Sequence, residues 1–207
     1  MLQKFHKENC IEVGIDEAGR GCLFGPVCIG TVYLTNYDDP LINEIKDSKK
    51  LSEKKKNILY DFIINNSYYS IKFIDHNIID KVNILQATLL GMHNCLDELD
   101  DLIKIDNILV DGNHFNTYYS KSQDEFLKHD CIINGDNKYL NIAAASILAK
   151  VSRDRYIIDL CEKNVNIKRY DLHKNKGYGT KSHMEAIKNY GIVEGHRISF
   201  KPCCNYV

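Results

Sequence analysis

The sequence contains no tryptophan, only three prolines and no long apolar run. A bilayer-spanning helix needs about 20 consecutive apolar residues, so the chain is not predicted to cross a membrane. Its first ten residues, MLQKFHKENC, lack the apolar core of a signal peptide, and no segment has the composition of a long linker. With 207 residues, of which 44% are hydrophobic and 27% charged, the chain is predicted to fold as one globular domain.

Eight cysteines are present, but none of them form the C-x2-C pairs that are typical of zinc sites. Without a signal peptide, disulfides are not expected, because reducing compartments keep thiols free. We therefore predict free thiols and a cytoplasmic location.

The formal net charge of −1 predicts no strong general attraction to nucleic acids. The charges are unevenly distributed, however. Residues 150–201 contain twelve Lys or Arg against six Asp or Glu, an excess of six positive charges, together with three histidines. This local basic surface is compatible with binding to a polyanion, although a solvated helix face would have the same composition.

Hydrophobic periodicity predicts strands that alternate with helices. The predicted strands cover 11–15, 26–34, 68–75, 107–112 and 131–136. The first predicted helix follows Ser52 and has four apolar residues on one face: Ile58, Leu59, Phe62 and Ile63. A second helix is predicted to start at Asn83, and an Ala-rich third helix covers 141–163. The last predicted helix covers 180–191, with Thr180 as N-cap and Gly191 at the C-terminal end. This alternation predicts an α/β domain with a mixed sheet.

Three of the predicted strands stop at an aspartate, namely Asp16, Asp111 and Asp136, and Glu17 directly follows the first. One acid at a strand end is usually a turn residue, but the functional sites of α/β sheets gather at strand ends. Four carboxylates brought together repel one another unless cations neutralise them, and oxygen ligands without His or Cys select Mg2+ or Mn2+. Because two such ions can assist phosphodiester hydrolysis, the acids predict phosphoryl-transfer or nuclease chemistry without deciding between them.

The segment GIDEAGRGCLFGPV (14–27) resembles the signature of ribonuclease HII, the type 2 ribonuclease H family. Further matching blocks occur in family order: DSKKLS (47–52), ILVDGN (108–113), INGD (133–136), AAASILAKVSRDR (143–155), HKNKGYGTKSH (173–183) and HRISF (196–200). The resemblance implies an α/β, ribonuclease H-like fold: a central mixed sheet flanked by helices, with a small C-terminal helical part. A single domain over 1–207 is expected, with a catalytic core at about 1–165 and a substrate-binding helical part at 166–207.

The resemblance also implies an activity. The family cleaves the RNA strand of RNA–DNA hybrids and nicks on the 5′ side of single ribonucleotides in duplex DNA, leaving 3′-hydroxyl and 5′-phosphate ends. The family's catalytic acids map onto Asp16, Glu17, Asp111 and Asp136, which are also the expected ligands of Mg2+ or Mn2+. The expected partner is an RNA–DNA hybrid or a duplex DNA that contains ribonucleotides, with no membrane involved, and the chain is expected to act as a monomer.

In this family a Gly-Arg-Gly segment contacts the ribose through its backbone, and that segment is Gly19, Arg20 and Gly21 here. Glycine permits this approach because it has no Cβ, although a tight turn would use the same residues. The tyrosine of the Lys-Gly-Tyr block, Tyr178, is expected to pack against the sugar next to the scissile bond.

Several basic residues are weaker candidates for substrate contacts. Lys49, in the DSKKLS block, is expected to contact a phosphate. Of the basic residues on the predicted 141–163 helix, some are expected to face backbone phosphates and the rest to solvate the helix; they are Lys150, Arg153 and Arg155. The histidines of the matching blocks are expected to be structural or close to phosphates; they are His173, His183 and His196.

Other interpretations stay open at this point. A non-catalytic hybrid-binding protein with the same fold would be favoured if one of the four acids were missing, and all four are present. A phosphohydrolase with an aspartate nucleophile would need an Asp-x-Asp strand end, whereas Asp16 and Glu17 are adjacent. Asp130 is the rival of Asp136 as the fourth acid, because the segment 113–128 is longer and more polar than is expected of bacterial members, but no glycine precedes Asp130.

Overall fold

The computed structural model describes residues 2–207, in which the chain forms seven strands and six α-helices. The strands are β1 (Glu12–Ala18), β2 (Val27–Leu34), β3 (Ser67–Ile74), β4 (Asn107–Asp111), β5 (Tyr119–Ser120), β6 (Glu125–Phe126) and β7 (Lys128–Ile132). The α-helices are α1 (Glu53–Asn65), α2 (His76–Val82), α3 (Ile84–Asp100), α4 (Leu140–Lys163), α5 (Leu172–Asn175) and α6 (Lys181–Tyr190).

Five strands form one mixed sheet in the order β3-β2-β1-β4-β7. Strand β2 is antiparallel to β1 and β3, whereas β4 is parallel to β1 and β7 is parallel to β4. Strands β5 and β6 form a separate small hairpin. The prediction of an α/β fold with a mixed sheet is therefore confirmed.

Helices cover both faces of the sheet. One face packs against α3, with Val13 and Ile15 of β1 in the same hydrophobic cluster. The other face packs against α1 and α4, and here the backbones come very close, because a Cβ at Gly30 would stand 2.6 Å from the carbonyl oxygen of Ala145. The alanines at the start of α4 are fully buried, which confirms the close packing that the Ala-rich sequence predicts.

The predicted helix ends are largely confirmed. The side chains of Ser52, Asn83 and Thr180 cap the N-termini of α1, α3 and α6, and Gly191 follows the last residue of α6. One predicted core position is wrong, since Ile58 is 42% exposed. The face of α1 that meets α4 runs through the other three predicted positions and leaves this one at its solvent edge.

Two of the three predicted strand ends are wrong. Strand β1 does not stop at Asp16 but continues to Ala18, because its ladder with β2 extends that far. Strand β7 ends at Ile132, and Asp136 lies four residues later in a 3-10 helix, because the chain turns there toward α4. Asp111 ends its strand as predicted.

The C-terminal part of the chain, from 164 onward, forms α5, α6 and 3-10 helices and no strand. Its apolar side chains pack against Leu23 and Phe24, which lie between β1 and β2, and against Ile157 of α4. The C-terminal part therefore lies against residues 19–25, the glycine loop. A division between a catalytic core and a substrate-binding part near residue 165 stays a prediction.

The polar segment 113–128 is anchored to the core by three apolar side chains. Phe115, Tyr118 and Leu127 are buried in the cluster between the sheet and α3. All eight cysteines are free, as predicted. Within residues 2–207, no helix has both the length and the apolar character needed to cross a bilayer.

Candidate active site

Strand β1 carries the first two acids. Asp16 lies on the same side of the strand as Gly14, facing α4, and is 6% exposed. Its Oδ1 accepts a hydrogen bond of 2.7 Å from the backbone N–H of Glu17. The adjacent acids therefore sit in a regular strand, where the backbone fixes the position of the first carboxylate.

Strand β4 brings the third acid beside the first. Ile15 pairs with Val110 in the parallel ladder, so the residues that follow them, Asp16 and Asp111, lie side by side at the same edge of the sheet. The Oδ1 atom of Asp111 accepts a hydrogen bond of 2.7 Å from the backbone N–H of Gly135. This bond connects the end of β4 to the turn that carries the fourth acid.

The fourth acid, Asp136, is 3% exposed and lies in the turn before α4. Asn137 Nδ2 donates to Asp136 Oδ1 over 2.9 Å and lies 3.4 Å from Asp47 Oδ2. Lys49 Nζ lies 3.9 Å from Asp136 Oδ2, and the Lys49 side chain is otherwise 83% exposed. The structure thus brings the DSKKLS segment to the acids and leaves the Lys49 ammonium near the surface.

Asp130 does not join this group. It lies within β7, where it pairs with Leu109, and its Oδ2 accepts hydrogen bonds from Lys7 Nζ over 2.7 Å and from Asn107 Nδ2 over 3.0 Å. The Lys7 hydrogen bond lowers the pKa of Asp130, so this carboxyl is already neutralised within the protein. Of the two rivals for the fourth acid, Asp136 is the one placed beside Asp111.

Burial and mutual repulsion act on the grouped acids. The pKa of Asp16 is raised well above its ordinary value by burial and then by the charges of Glu17 and Asp111, against the opposing effect of the Glu17 amide. Burial also raises the pKa of Glu17, and Arg20 opposes that rise. The pKa of Asp136 is raised by burial and then by the charge of Asp111. Raised carboxyl pKa values with specific charge partners are typical of functional sites.

The acids do not form a finished metal cage. Within residues 2–207, no three His, Cys, Asp or Glu side chains converge closely enough to hold an ion among them. Instead, protein cations lie on two of the acids: Arg20 Nη1 is 3.1 Å from Glu17 Oε1, and Lys49 approaches Asp136. The donor set nevertheless fits a hard divalent cation, because it offers only carboxylate oxygens, and these repel one another.

The Gly-Arg-Gly segment follows β1 immediately and contains two different kinds of glycine. Gly19 is buried and has φ of 91°, and a Cβ there would overlap the Arg153 side chain. Gly21 is exposed, has no positive φ, and has nothing within 4 Å of the place where a Cβ would stand. Gly19 is therefore required by the fold, whereas Gly21 leaves open space in front of the backbone.

Tyr178 lies next to this segment. Its backbone forms an isolated antiparallel bridge with Cys22, and the backbone N–H of Leu23 donates to the carbonyl of Gly177 over 2.8 Å. The Tyr178 ring is 39% exposed, and Lys150 Nζ lies 5.2 Å from its centre. The structure thus places an exposed aromatic ring beside the glycine loop.

The three histidines of the matching blocks divide into two groups. His183 and His196 are buried, with their Nε2 atoms 3.2 Å apart, and His183 Nδ1 lies 3.0 Å from the carbonyl oxygen of Tyr178. His173 is exposed and lies near Asp171. Their burial favours the structural role for His183 and His196, whereas His173 is accessible to a phosphate.

The structure gives roles to residues whose roles the sequence left open or missed. Arg153, one of the three basic residues of α4 considered as phosphate contacts, is 0% exposed and donates its hydrogen bonds to backbone carbonyls. The side chains of Asp47 and Asn137 support Asp136, and no role was assigned to them. Their only sequence signal is that they lie within or directly beside two of the matching blocks.

This chain is similar to known proteins over nearly its whole length. The family model described as Ribonuclease HII matches residues 13–203. A ribonuclease HII from Rickettsia akari is 46% identical over 202 residues, which cover 98% of this chain and 95% of that protein.

Two solved structures extend the comparison to the fold. Ribonuclease HII of Archaeoglobus fulgidus, solved in a complex with PCNA, superposes with a TM-score of 0.70 at 25% identity, covering 92% of this chain and 95% of that one. Bst-RNase HIII in complex with Mn2+ has the same fold, with a TM-score of 0.69 at 20% identity over 94% of this chain and 68% of that one.

Proposed function

This chain belongs to the ribonuclease HII family, and on that premise we propose that it cleaves RNA–DNA hybrids and nicks duplex DNA at single ribonucleotides. The observation that carries the proposal is the grouping of four acids from β1, β4 and the turn before α4 beside an exposed glycine backbone. A non-catalytic hybrid-binding protein would have no use for buried, mutually repelling carboxylates, which cost stability.

We propose that Asp16, Glu17, Asp111 and Asp136 hold Mg2+ or Mn2+. When bound, a divalent cation supplies Lewis acidity toward the phosphodiester and lowers the pKa of a coordinated water. The chain's own part is to supply negative charge in a position set by the backbone, since amides of Glu17 and Gly135 hold the carboxylates of Asp16 and Asp111.

Two basic side chains lie beside the acids at this edge of the sheet. Arg20 and Lys49 each lie beside one of the acids and reach solvent. We propose that these cations turn to the phosphates of the cleaved strand when a metal ion takes over the neutralisation of Glu17 and Asp136. Their exposure supports this role, because exposed ion pairs contribute little stability and exchange partners readily.

We propose that the glycine loop and Tyr178 recognise the ribose. The backbone amides of Arg20 and Gly21 donate no hydrogen bond to any group among residues 2–207, so two donors are available next to the acids. The 2′-hydroxyl is the group that distinguishes RNA from DNA at one position. The exposed Tyr178 ring stands beside these amides and offers an apolar surface for the sugar.

All of these groups come from one chain, which supports the proposal that a monomer carries the activity. The function is tested with an end-labelled DNA duplex that contains one ribonucleotide, incubated with Mg2+, Mn2+ or EDTA. The expected result is a nick on the 5′ side of the ribonucleotide, with 3′-hydroxyl and 5′-phosphate ends, in the presence of metal only. An all-DNA duplex of the same sequence is the control, and binding without cleavage under every metal condition would refute the proposal.

A further inference from the structure

Arg153 of α4 and Arg197 near the C-terminus are the two largest fully buried side chains of residues 2–207, and each is 0% exposed. Neither forms an ion pair with a carboxylate in the described chain. Burying a cation without a counter-ion is costly. Two such cations side by side therefore point to a role that a neutral side chain would not fulfil.

The guanidinium group of Arg153 connects the glycine loop to the segment that carries Tyr178. Its Nε and Nη2 donate to the carbonyls of Pro26 and Phe24, each over 2.9 Å. Its Nη1 donates over 2.7 Å to the carbonyl of Lys176, two residues before Tyr178. One planar group thus fixes the distance between the loop and the tyrosine segment.

Arg197 holds the two ends of the same loop. Its Nε donates to the carbonyl of Gly25 over 2.9 Å, and its Nη1 donates to the carbonyl of Arg20 over 2.8 Å. Its backbone N–H also donates to the carbonyl of Leu23 over 2.9 Å. Because the carbonyl of Arg20 is drawn inward, the amide of Gly21, in the same peptide unit, is directed to the opposite side.

Three glycines lie near the Arg153 side chain, and one of them is needed for its approach to the backbone. A Cβ at Gly19 would overlap Arg153, and a Cβ at Gly25 or at Gly177 would stand 3.6 or 3.4 Å from Arg153 Nη2. At Gly177 the same Cβ would also lie 2.6 Å from the carbonyl oxygen of Phe24. Gly19 therefore serves the approach of Arg153 to the backbone, whereas the close neighbours at Gly25 and Gly177 are Ile157 Cδ1, 2.7 Å from the Cβ position, and the Phe24 carbonyl.

A lysine would not replace either arginine. Arginine presents several donors in a rigid plane, whereas lysine has one flexible ammonium group. Burial lowers the pKa of Arg197 to about 10, with the charge of Arg153 as a further cause, so the Arg197 side chain remains a cation at neutral pH. Their hydrogen bonds to five carbonyls compensate in part for the lost hydration.

We propose that Arg153 and Arg197 are positioning residues for ribose recognition: they set the spacing between the outward amides of the glycine loop and the Tyr178 ring, which together enclose one sugar. This inference rests on the proposed function, since it concerns how the same site recognises its substrate. A loop displaced by about 1 Å would misplace the scissile phosphate, which can lower the rate on the order of 100-fold.

The test compares two substrates with three variants. Arg153→Lys and Arg197→Lys keep the charge and remove the planar set of donors. Arg155→Lys is the matched control, because Arg155 lies on the same helix but donates to Asn57 Oδ1 over 2.6 Å and has no contact with the loop. For each variant, kcat/KM is measured on a duplex with one ribonucleotide and on a long RNA–DNA hybrid, and melting is followed by circular dichroism.

The ratio of the two kcat/KM values is the decisive quantity, because a loss of folded protein lowers both values equally. We expect the ratio to fall roughly 10- to 100-fold in Arg153→Lys and Arg197→Lys, since a long hybrid offers further 2′-hydroxyls that help to place the strand. The ratio of Arg155→Lys should equal that of the wild type. An unchanged ratio in folded Arg153→Lys and Arg197→Lys would show that the arginines are scaffold alone and would overturn the inference.

Failure of the proposed function is distinguishable, because the wild type would then cleave neither substrate. If both lysine variants fail to fold, hydrogen exchange on the wild type decides whether the glycine loop is held in a fixed position. The backbone N–H groups of Cys22, Leu23 and Gly25 form hydrogen bonds to Gly19, Gly177 and Gly195, and a loop fixed by arginines should protect them as well as the amides of β1 are protected. Fast exchange at these three amides would overturn the inference.

Discussion

Gly19 lies so close to Arg153 that a Cβ at position 19 would overlap the Arg153 side chain, whereas Gly21, two residues later, faces open space. We therefore expect Gly19→Ala to lower the free energy of unfolding by about 2 kcal/mol or more, because its φ of 91° is also unfavourable for alanine. Gly21→Ala should change stability by less than about 0.5 kcal/mol, as measured by urea unfolding.

The activity of these two glycine variants should separate from their stability. A Cβ at position 21 points toward the proposed ribose site, so Gly21→Ala should lower kcat/KM on a single-ribonucleotide duplex on the order of 100-fold. The measurement is the nicking rate at a temperature where both proteins are folded. If Gly21→Ala unfolds the protein or cleaves like the wild type, this glycine is a turn residue and not a contact for the sugar.

Asp16→Asn should lower cleavage by more than about 100-fold, because a proposed metal ligand loses its charge and keeps its shape. The same variant should be more stable than the wild type without metal at about pH 7.5, since burial and neighbouring carboxylates raise the pKa of Asp16. Ionisation of this group opposes folding, so the stability gain should vanish as pH falls below the ordinary aspartate range, where both states are protonated. Wild-type turnover by Asp16→Asn would contradict the site assignment.

Asp136 and Asp130 give a matched pair for the fourth acid. Asp136→Asn should reduce cleavage by more than about 100-fold, because this carboxylate lies beside Asp111. Asp130→Asn should cleave within about twofold of the wild type and lose only a little stability, because Asp130 is half-buried, lies away from the other acids and is already paired with Lys7. Should Asp130→Asn alone abolish nicking, the assignment of the fourth acid is wrong.

Tyr178 is expected to act through its ring and not through its hydroxyl. Burial raises the pKa of Tyr178 to about 12, so the hydroxyl holds its proton at working pH and is unsuited to proton transfer. Tyr178→Phe should therefore keep activity within about threefold, and Tyr178→Ala should lose roughly 10- to 100-fold on the single-ribonucleotide duplex. Equal losses in both variants, measured as kcat/KM, would instead assign the role to the hydroxyl.

The buried pair of His183 and His196 predicts loss of stability in acid. Burial lowers the pKa of both rings, for His196 to about 4, and protonating both would set one N–H against another across the 3.2 Å contact. Because the unfolded chain binds these protons at about pH 6.5, the stabilisation is complete above that pH and is lost as pH falls toward 4. Urea unfolding should show a loss of about 3 kcal/mol for His196 over this range, and a stability that does not change between pH 6.5 and 4 would contradict the prediction.

The residues of the candidate site could be predicted from the sequence more fully than their surroundings. Asp111 ends β4 as its apolar run predicts, and the caps of α1, α3 and α6 follow from local side-chain chemistry. The predicted end of β1 is wrong, because the length of this strand depends on its pairing with β2 and not on its own composition. The position of Asp136 after β7 was wrong for a similar reason, since the chain there turns to meet α4.

The sequence by itself determined the chemistry of this protein. The adjacent acids Asp16 and Glu17, the glycines around Arg20 and the order of the matching blocks are covalent facts, and they identify the family and its reaction without coordinates. Side-chain type and spacing indicate a site for a hard metal ion and a backbone open to close approach, because ligand hardness and backbone freedom are properties of the residues themselves. The reaction follows from the resemblance that the ordered blocks carry.

Only the tertiary structure decided which residues hold the site residues in position. Arg197 holds the carbonyl of Arg20 across 177 positions of sequence. Arg153 is buried and bound to backbone carbonyls, whereas the sequence left open whether it contacts a phosphate or solvates the helix. Burial and contact between distant segments arise when the helices pack on the sheet, and no local pattern records them. The same packing distinguishes Gly19, which is enclosed by the fold, from Gly21, which the fold leaves free for a substrate.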